Sequence, residues 1–397
     1  MTILVTGATG NIGRHVVAGL RERGADVRTL SRFPGAGATG DLSRPETLHE
    51  ALSGVDSVFL LWPFLSAERI RDVVEVIARH ARRVVYVSTL NVRDELTPEQ
   101  NGVWGQVEDA VRRSGLEWTF LRPSGFATNT FEWAPAIRAG RAVRMPFPGA
   151  ARSLIDERDI ADVAVAALTE DGHIGRSYTL TGPEAVTQAE QVRILGAAAG
   201  RPVEVEEISA EEARADVLGW ADESLADSAL AYWRSLVDNP EPVTSTVEEI
   251  TGHPARGFGQ WAEDHVDQFQ PLPAHEVAER YVSAFRGGRL SEAMRWTSAD
   301  VVRVAPLEND GKHVELRGHD EVLANAERLN RGLEFHGFDV DGPFVAGDRF
   351  AVRFTFDATH TPTGRRTTST KMSLYTVADG VITREEVFYF DPPADVL

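Results

Sequence analysis

The feature that most constrains this chain is a short apolar strand running straight into three glycines at three-residue spacing. Ile3 to Val5 is the apolar run. Gly7, Gly10 and Gly13 follow, and Ile12, Val16, Val17 and Leu20 then recur at helical period. Strand, glycine turn and helix in that order suit a pyrophosphate, which rests on free N–H groups at a helix N-terminus where side chains would block its approach. The expectation is a parallel α/β sheet whose first turn holds a dinucleotide, with Gly7, Thr9, Gly10, Asn11, Ile12 and Gly13 around the phosphates. The competing reading is a glycine turn that binds nothing.

The second strand, Asp26 to Leu30, ends at Ser31-Arg32. An acidic residue there would hold a ribose 2′-hydroxyl. A guanidinium pairs with a 2′-phosphate instead, so Arg32 favours NADP(H) over NAD(H). Asp41-Leu42 follows a glycine-rich link, and Pro45 to Leu52 reads as a helix with Ser43 as its cap. Val58 to Leu61 is a buried strand closed by Trp62-Pro63, Ala67 to His80 a helix, and Val84 to Val87 a strand ending in Ser88-Thr89. Val103 to Ser114 is a helix, and Gly115 to Pro123 a strand closed by proline. Such alternation predicts a doubly wound parallel sheet, with ligands beyond the carboxyl ends of its strands.

Composition narrows the partners. The 397 residues allow two or three domains, and 42% apolar content is enough for cores. A net charge of −19, spread along the chain, argues against nucleic acid or an anionic membrane. No apolar stretch is long enough to span a bilayer, and Met1 leads directly into the first strand, so no leader and a cytoplasmic location are expected. The absence of cysteine excludes disulfides and thiolate chemistry.

Thr6-Gly-Ala-Thr-Gly-Asn-Ile-Gly13, Val85-Tyr-Val-Ser88 and Ser114-Gly-Leu-Glu-Trp-Thr-Phe-Leu-Arg-Pro123 together resemble the NmrA-like branch of the atypical short-chain dehydrogenases. Leu180-Thr-Gly-Pro183 and Thr251-Gly-His-Pro254 are similar to that family's small C-terminal lobe, so the resemblance covers roughly residues 1–269. It implies a Rossmann domain binding NADP(H), in either a reductase of small molecules or a redox sensor. By matching motif, the three glycines would hold the pyrophosphate, Arg32 the 2′-phosphate, and Asp41 or Leu42 the adenine. Leu61, Trp62, Ser88 and Pro123 would border the nicotinamide, and Trp62, Phe126 and Asn129 would face the substrate.

One departure is informative. Ordinary short-chain dehydrogenases pass a proton through a Tyr-x-x-x-Lys pair. The only lysines here are Lys312 and Lys371, and the corresponding helix reads Val103-Trp-Gly-Gln-Val-Glu108. Proton supply must come from elsewhere, for instance from water after hydride transfer to a quinone or enone. Asp156, Glu157, Asp159 and Asp162 read as acids favouring the start of a helix over Ser153 to Leu168. Glu204 to Glu223 reads as a solvated helix face.

Residues 270–274 form a proline-bounded link, and residues 275–397 change pattern. A helix from His275 to Phe285 precedes long strands joined at Gly347-Asp348 and Asp379-Gly380, an α+β arrangement with an antiparallel sheet. Ala278-Glu-Arg-Tyr-Val-Ser-Ala-Phe285, Leu316-Arg-Gly-His-Asp320, Gly347-Asp-Arg-Phe-Ala-Val-Arg353 and Asp379-Gly-Val-Ile382 resemble the SnoaL-like group of the NTF2-like cone fold. That resemblance implies a cone that either acts on hydrophobic small molecules or only dimerises. On the last strand, alternation puts Thr383, Glu385, Val387, Tyr389 and Asp391 on one face. The position matching the cyclase aspartate is Val387, which leaves Glu385 as the candidate acid or base, His336 as the candidate imidazole and Tyr389 as a substrate contact. His313, His319 and His360 have no metal-ligand spacing, so no metal is expected.

Three readings follow. The first is an NADP(H)-dependent oxidoreductase of a hydrophobic, polyketide-like, quinone or enone substrate in secondary metabolism, with Ser88 near the reacting atoms. The second is a cyclase, isomerase or dehydratase whose chemistry lies in the cone. The third is a sensor that binds dinucleotide without turnover. A homodimer is expected by analogy with other cones.

Overall fold

A computed structural model describes residues 1–32, 35, 37–219, 222–307 and 312–390. The chain divides into two compact units, Met1–Ala134 with Ala142–Phe269, and Pro135–Arg141 with Gln270–Leu397.

The first unit is built on strands β1 (Thr2–Val5), β2 (Asp26–Ser31), β3 (Ala38–Thr39), β4 (Ser57–Leu60), β5 (Arg83–Val87) and β6 (Glu117–Pro123). Short strands β7 (Val143–Met145) and β8 (Ala151–Arg152) precede β9 (Arg176–Leu180), and β10 (Val186–Thr187) and β11 (Val205–Glu207) come after it. The main sheet is parallel throughout, in the order β3-β2-β1-β4-β5-β6-β9. Strand order reverses between β1 and β4, which opens a crevice at their carboxyl ends. Every residue of β4 and β5 is buried, as a strand covered on both faces requires.

Helices α1 (Gly13–Glu22), α2 (Leu48–Ala51), α3 (Ile70–His80), α4 (Gly102–Arg113), α5 (Ala134–Arg138) and α6 (Glu157–Thr169) lead on to α7 (Gln188–Ala198) and α8 (Ala210–Val217). α9 (Glu223–Asp238), α10 (Thr246–Thr251) and α11 (Phe258–Asp264) complete the unit, and α5 belongs from Pro135 onward to the second unit. α1 buries Val16, Val17 and Leu20 against β1, β5 and α6, each worth about 1.5–3 kcal/mol. On the opposite face Val73, Val74 and Ile77 of α3 and Val107 and Val111 of α4 pack on Val58, Leu60, Tyr86 and Phe120.

Three expected elements differ in detail. Ser43 caps nothing: its N–H and hydroxyl both donate to Asp41, and the segment opens as a 3-10 turn, Pro45–Thr47, before α2. α3 starts at Ile70 because Arg69 is left-handed, with φ of 70°. The Glu204–Glu223 stretch is not one helix face, since Val205–Glu207 pairs in parallel with β7 before α8 begins behind a Ser209/Glu212 capping box.

The second unit comprises α12 (Ala274–Arg286), α13 (Leu290–Met294), β12 (Thr297–Leu307), β13 (Lys312–Arg317) and α14 (Gly318–Asn330). The long strands β14 (Leu333–Ala346), β15 (Arg349–His360), β16 (Arg365–Ala378) and β17 (Val381–Tyr389) follow. The sheet order is β13-β12-β17-β16-β15-β14, antiparallel except where β12 lies parallel to β17. α12 packs Val277, Tyr281 and Val282 on Phe350, Val352, Tyr375 and Ile382. Register shifts interrupt the ladders in β14, between β12 and β17, and between β16 and β17, and such bulges bend a sheet. Among the described residues no helix is long and apolar enough to cross a membrane.

Candidate functional site: the dinucleotide crevice and the cone interior

Thr6 sets the geometry of the crevice. Its N–H donates to the Phe59 carbonyl, and its buried Oγ accepts from the Leu61 N–H at 2.7 Å, joining the ends of β1 and β4. Gly7 then turns at φ 62°, a conformation costly for residues with a Cβ. The Gly10 N–H closes the turn on the Gly7 carbonyl at 2.9 Å.

Gly13 opens α1 directly over this turn. A Cβ there would lie 2.1 Å from the Gly7 carbonyl oxygen and 2.9 Å from the Ala8 Cα. Gly7, Thr9, Gly10 and Asn11 are exposed, whereas Ala8 and Ile12 are buried. Among the described residues the N–H groups of Asn11 and Ile12 have no protein acceptor. Such orphan donors at a helix N-terminus suit an anion, so the residues fit a dinucleotide pyrophosphate.

Arg32, Leu61 with Trp62, and Ser88 come directly after β2, β4 and β5, and Pro123 ends β6, so these stand at the carboxyl ends of the sheet. Arg32 is exposed just past β2 and contributes to lowering the Asp41 pKa, an effect led by the Ser43 backbone N–H. Asp41 is half-buried and Leu42 buried. Leu61 is half-buried, its Cδ1 close enough to Gly7 that a Cβ there would sit 2.9 Å away. Trp62 donates its indole N–H to the Ser66 carbonyl at 2.9 Å and meets Phe64 edge-on. Pro123 is buried, Phe126 half-buried and Asn129 exposed on the 3-10 turn Ala127–Trp133.

Ser88 departs from the role expected of it. Its buried hydroxyl donates to Glu108 Oε1 at 2.6 Å. Glu108 is held in turn by Arg122 through Nε at 3.0 Å and Nη2 at 2.7 Å, and Arg122 also reaches Asp94. Hydrogen bonds to Glu108 and Asp94 raise the Arg122 pKa despite the opposing effect of burial. A hydroxyl whose proton is committed to a buried carboxylate is not a free acid. Ser88 therefore ties the end of β5 to α4. Nor is Tyr86 a substitute: its hydroxyl is buried without a partner among the described residues, and burial pushes its pKa up.

The acids of α6 are more than macrodipole partners. Asp156 is the N-cap, accepting from the Arg158 N–H. Glu157, 1% exposed, accepts from the Trp261 indole at 2.8 Å and faces His265 at 3.1 Å and Arg14 at 3.5 Å. Asp159 and Asp162 meet His253 in a group with metal-like spacing, but the Arg256 guanidinium already pairs with both carboxylates.

Within the second unit, Glu385 is the centre of a polar cluster. Arg303 donates to its Oε2 at 3.1 Å, and Ser373 and Tyr375 donate to Oε1 at 2.8 and 3.3 Å. Tyr281 in turn donates to the Tyr375 oxygen at 3.2 Å. Burial raises the Glu385 pKa, but Arg303 and Lys371 and the hydroxyl bonds outweigh it, and the carboxyl is held below its usual range. Lys371 lies over the rings of Phe354 and Phe356.

The strict alternation expected along β17 fails at one point. Val377 pairs with Ile382 but Thr376 with Arg384, so Thr383 is the bulged residue and buried Ile382 joins the side of Glu385 and Val387. His336 does not join Glu385. It is exposed on β14 and bonds Thr359 Oγ1 at 2.7 Å. Tyr389 is half-buried at the end of β17, and Asp391 lies outside the described residues.

A seven-stranded parallel sheet with a glycine-lined anion cradle at its switch point defines a dinucleotide-binding protein. The model of an NAD(P)H-binding family matches residues 7–171, and that of a SnoaL-like domain matches residues 278–385. A (4-alkanoyl-5-oxo-2,5-dihydrofuran-3-yl)methyl phosphate reductase of Streptomyces griseus is 38% identical over 288 residues, covering 68% of this chain and 99% of the relative. The NAD(P)H azoreductase of Xenophilus azovorans is 38% identical over 282 residues, 67% of this chain and 99% of the relative.

Among solved structures, the Citrobacter sp. triphenylmethane reductase complexed with NADP(H) superimposes with a TM-score of 0.56 at 20% identity, over 67% of this chain and 99% of that one. An NADPH-dependent quinone oxidoreductase of Escherichia coli complexed with NADPH gives 0.56 at 21% identity, over 66% and 99%. These two show the shared fold. The chain belongs to the NAD(P)H-dependent reductases of the NmrA-like, atypical short-chain dehydrogenase family, and it carries a SnoaL-like domain after the reductase domain.

Proposed function

We propose that this protein is an NADP(H)-dependent reductase of a small, largely apolar electrophile, such as a quinone, enone or polyketide-derived lactone, in secondary metabolism. The observation that carries the reading is the cradle at Gly7, Gly10 and Gly13 with Arg32 at the end of the neighbouring strand. The bound nicotinamide supplies a hydride equivalent. The chain's part is to hold the dinucleotide, to orient the acceptor beside Trp62 and Phe126, and to let water deliver the proton. NADPH consumption with a panel of quinones and enones tests the reading, and tight binding without consumption by any acceptor would overturn it.

Arg32→Ala tests the choice of dinucleotide. A charge-assisted bond to phosphate contributes about 1.5–3 kcal/mol, so NADPH affinity is expected to fall roughly tenfold or more while NADH affinity moves less than about twofold. Fluorescence titration of both reduced nucleotides reads the difference. Equal losses would sink the 2′-phosphate role.

A second reading, redox-neutral chemistry in the cone, has its own support in Glu385, kept ionised among Tyr281, Tyr375 and Arg303. Glu385→Gln is expected to leave NADPH oxidation within about twofold of wild type, because Glu385 belongs to the second unit and the glycine cradle to the first, and to abolish any cyclisation or isomerisation. Product analysis by mass spectrometry with and without NADPH separates the two outcomes.

A further inference from the structure

Alternation along β5 decides which side of the sheet each residue at its end serves. Val84 and Tyr86 pack with α3 and α4, whereas Val85 and Val87 pack with α1 and α6. The Ser88 and Leu90 N–H groups donate to the Leu121 and Pro123 carbonyls at 2.7 and 2.9 Å, so the pairing with β6 runs on past Val87. Ser88 accordingly falls on the α4 side, where its hydroxyl meets Glu108. Thr89 falls on the other side, that of α1 and the glycine cradle. Leu61 and Phe126, which follow β4 and β6, pack into this same α1-side core.

Thr89 carries two donors without an acceptor. Successive residues of a strand turn their N–H groups to opposite neighbours. Those of Ser88 and Leu90 go to β6, so that of Thr89 points toward β4, whose last pair with β5 is Leu60 with Tyr86. The Thr89 N–H therefore reaches past the end of β4. Among the described residues no protein atom accepts from this N–H or from the Thr89 hydroxyl, whose oxygen only accepts, from the Asn91 N–H at 3.4 Å. The residue is half-buried, a setting in which an unpaired peptide N–H is costly.

We propose that Thr89 is a catalytic residue whose N–H and hydroxyl together receive the acceptor's carbonyl oxygen and hold the negative charge that develops on it. This rests on the reductase reading above and narrows its substrate class to carbonyl-conjugated electrophiles. An enone gains a C–H bond at its β-carbon from the hydride equivalent, its C=C pair shifts toward the carbonyl carbon, and the C=O π pair becomes a lone pair on an enolate oxygen. NADPH ends as NADP+, and water supplies the enolate's proton, leaving hydroxide to the solvent. Two neutral donors aimed at that oxygen lower the barrier without giving up a proton, which suits a chain that has no Tyr-x-x-x-Lys pair.

The test uses the full-length protein and reads binding as well as turnover. With saturating NADPH and 2-cyclohexen-1-one, Thr89→Val is expected to lower kcat about 10- to 100-fold while KM moves less than about threefold. NADPH affinity stays near wild type, and Thr89→Ser recovers most of the rate. In the NADP+ complex, 4-nitrophenol stands in for the enolate. Its phenolate absorbs visibly, and two donors at its oxygen should make it ionise about one pH unit lower than in free solution. Thr89→Val removes about half of that shift or more.

A wild-type kcat in Thr89→Val overturns the proposal while leaving the reductase reading intact. So does a lowered kcat with the 4-nitrophenol shift unchanged, because a merely structural threonine would behave in that way. An unshifted titration in the wild type has the same force, and it decides the matter even should Thr89→Val fold poorly. Failure of the wild type to oxidise NADPH with any enone or quinone removes the reading and the proposal together.

Discussion

Gly13→Ala is expected to reduce NADPH affinity by about 100-fold or more, equivalent to roughly 2.7 kcal/mol. The reason is local and steric. The added carbon would meet the Gly7 carbonyl oxygen at 2.1 Å and the Ala8 Cα at 2.9 Å, all backbone atoms with no rotamer to escape into. Either α1 lifts away from β1, or the Gly7 turn opens and loses its closure by the Gly10 N–H. Both movements scatter the N–H groups that the pyrophosphate needs. Gly10→Ala provides the graded control, because its Cβ would stand 3.2 Å from the same oxygen, and a smaller loss is expected. Fluorescence titration gives the affinities and thermal denaturation shows whether the fold survives. Wild-type affinity in Gly13→Ala would refute the cradle.

Glu108→Leu is the second large effect. It removes the carboxylate that holds Arg122 and Ser88 and leaves a guanidinium with 9% side-chain exposure facing only Asp94 on the acid side. Breaking one partner of a buried pair costs about 3–5 kcal/mol, whereas replacing both by apolar groups is often near neutral. Urea denaturation should therefore show a large loss for Glu108→Leu and partial recovery in Glu108→Leu/Arg122→Met.

The same cluster predicts an acid dependence. Hydrogen bonding to Arg122, the leading cause, holds Asp94 below its usual carboxylate range. Its contribution is present above its unfolded pKa of about 4 and is lost as pH falls through the folded value. Arg122→Met should flatten the stability profile in that acid range. An additive double mutant, with no recovery, would show that Glu108 and Arg122 do not act as a pair.

What could be read before the fold was known follows from the range of each interaction. The β1–Gly–α1 unit lies within twenty-two residues, and its spacing alone implies its geometry. The position of Arg32 was legible because a strand end has a fixed place in a doubly wound sheet. The Ser88–Glu108–Arg122 cluster was not, since it depends on which turn of α4 faces the end of β6. The Arg152–Glu241 hydrogen bond spans 89 residues, and no periodicity links the two.

The errors in the cone have a common origin. Alternation assumes an unbroken ladder, and β14 and the β16–β17 pair both contain bulges. Glu385 and Val387 nevertheless share a face, as alternation expects, because the bulge at Thr383 precedes both residues. His336, the candidate imidazole, is exposed on β14, where the register shifts between Phe335 and Gly337.

The scarcity of lysine has a practical consequence. Apart from the chain's α-amino group, acylating reagents have two amines to attack, Lys312 and Lys371, and the second rests on Phe354 and Phe356 beside the Glu385 cluster. The reductase domain thus offers amine labels no lysine side chain. Pulse acetylation read at the Lys371 peptide by mass spectrometry would report on occupancy of the cone, with no lysine of the dinucleotide crevice to interfere.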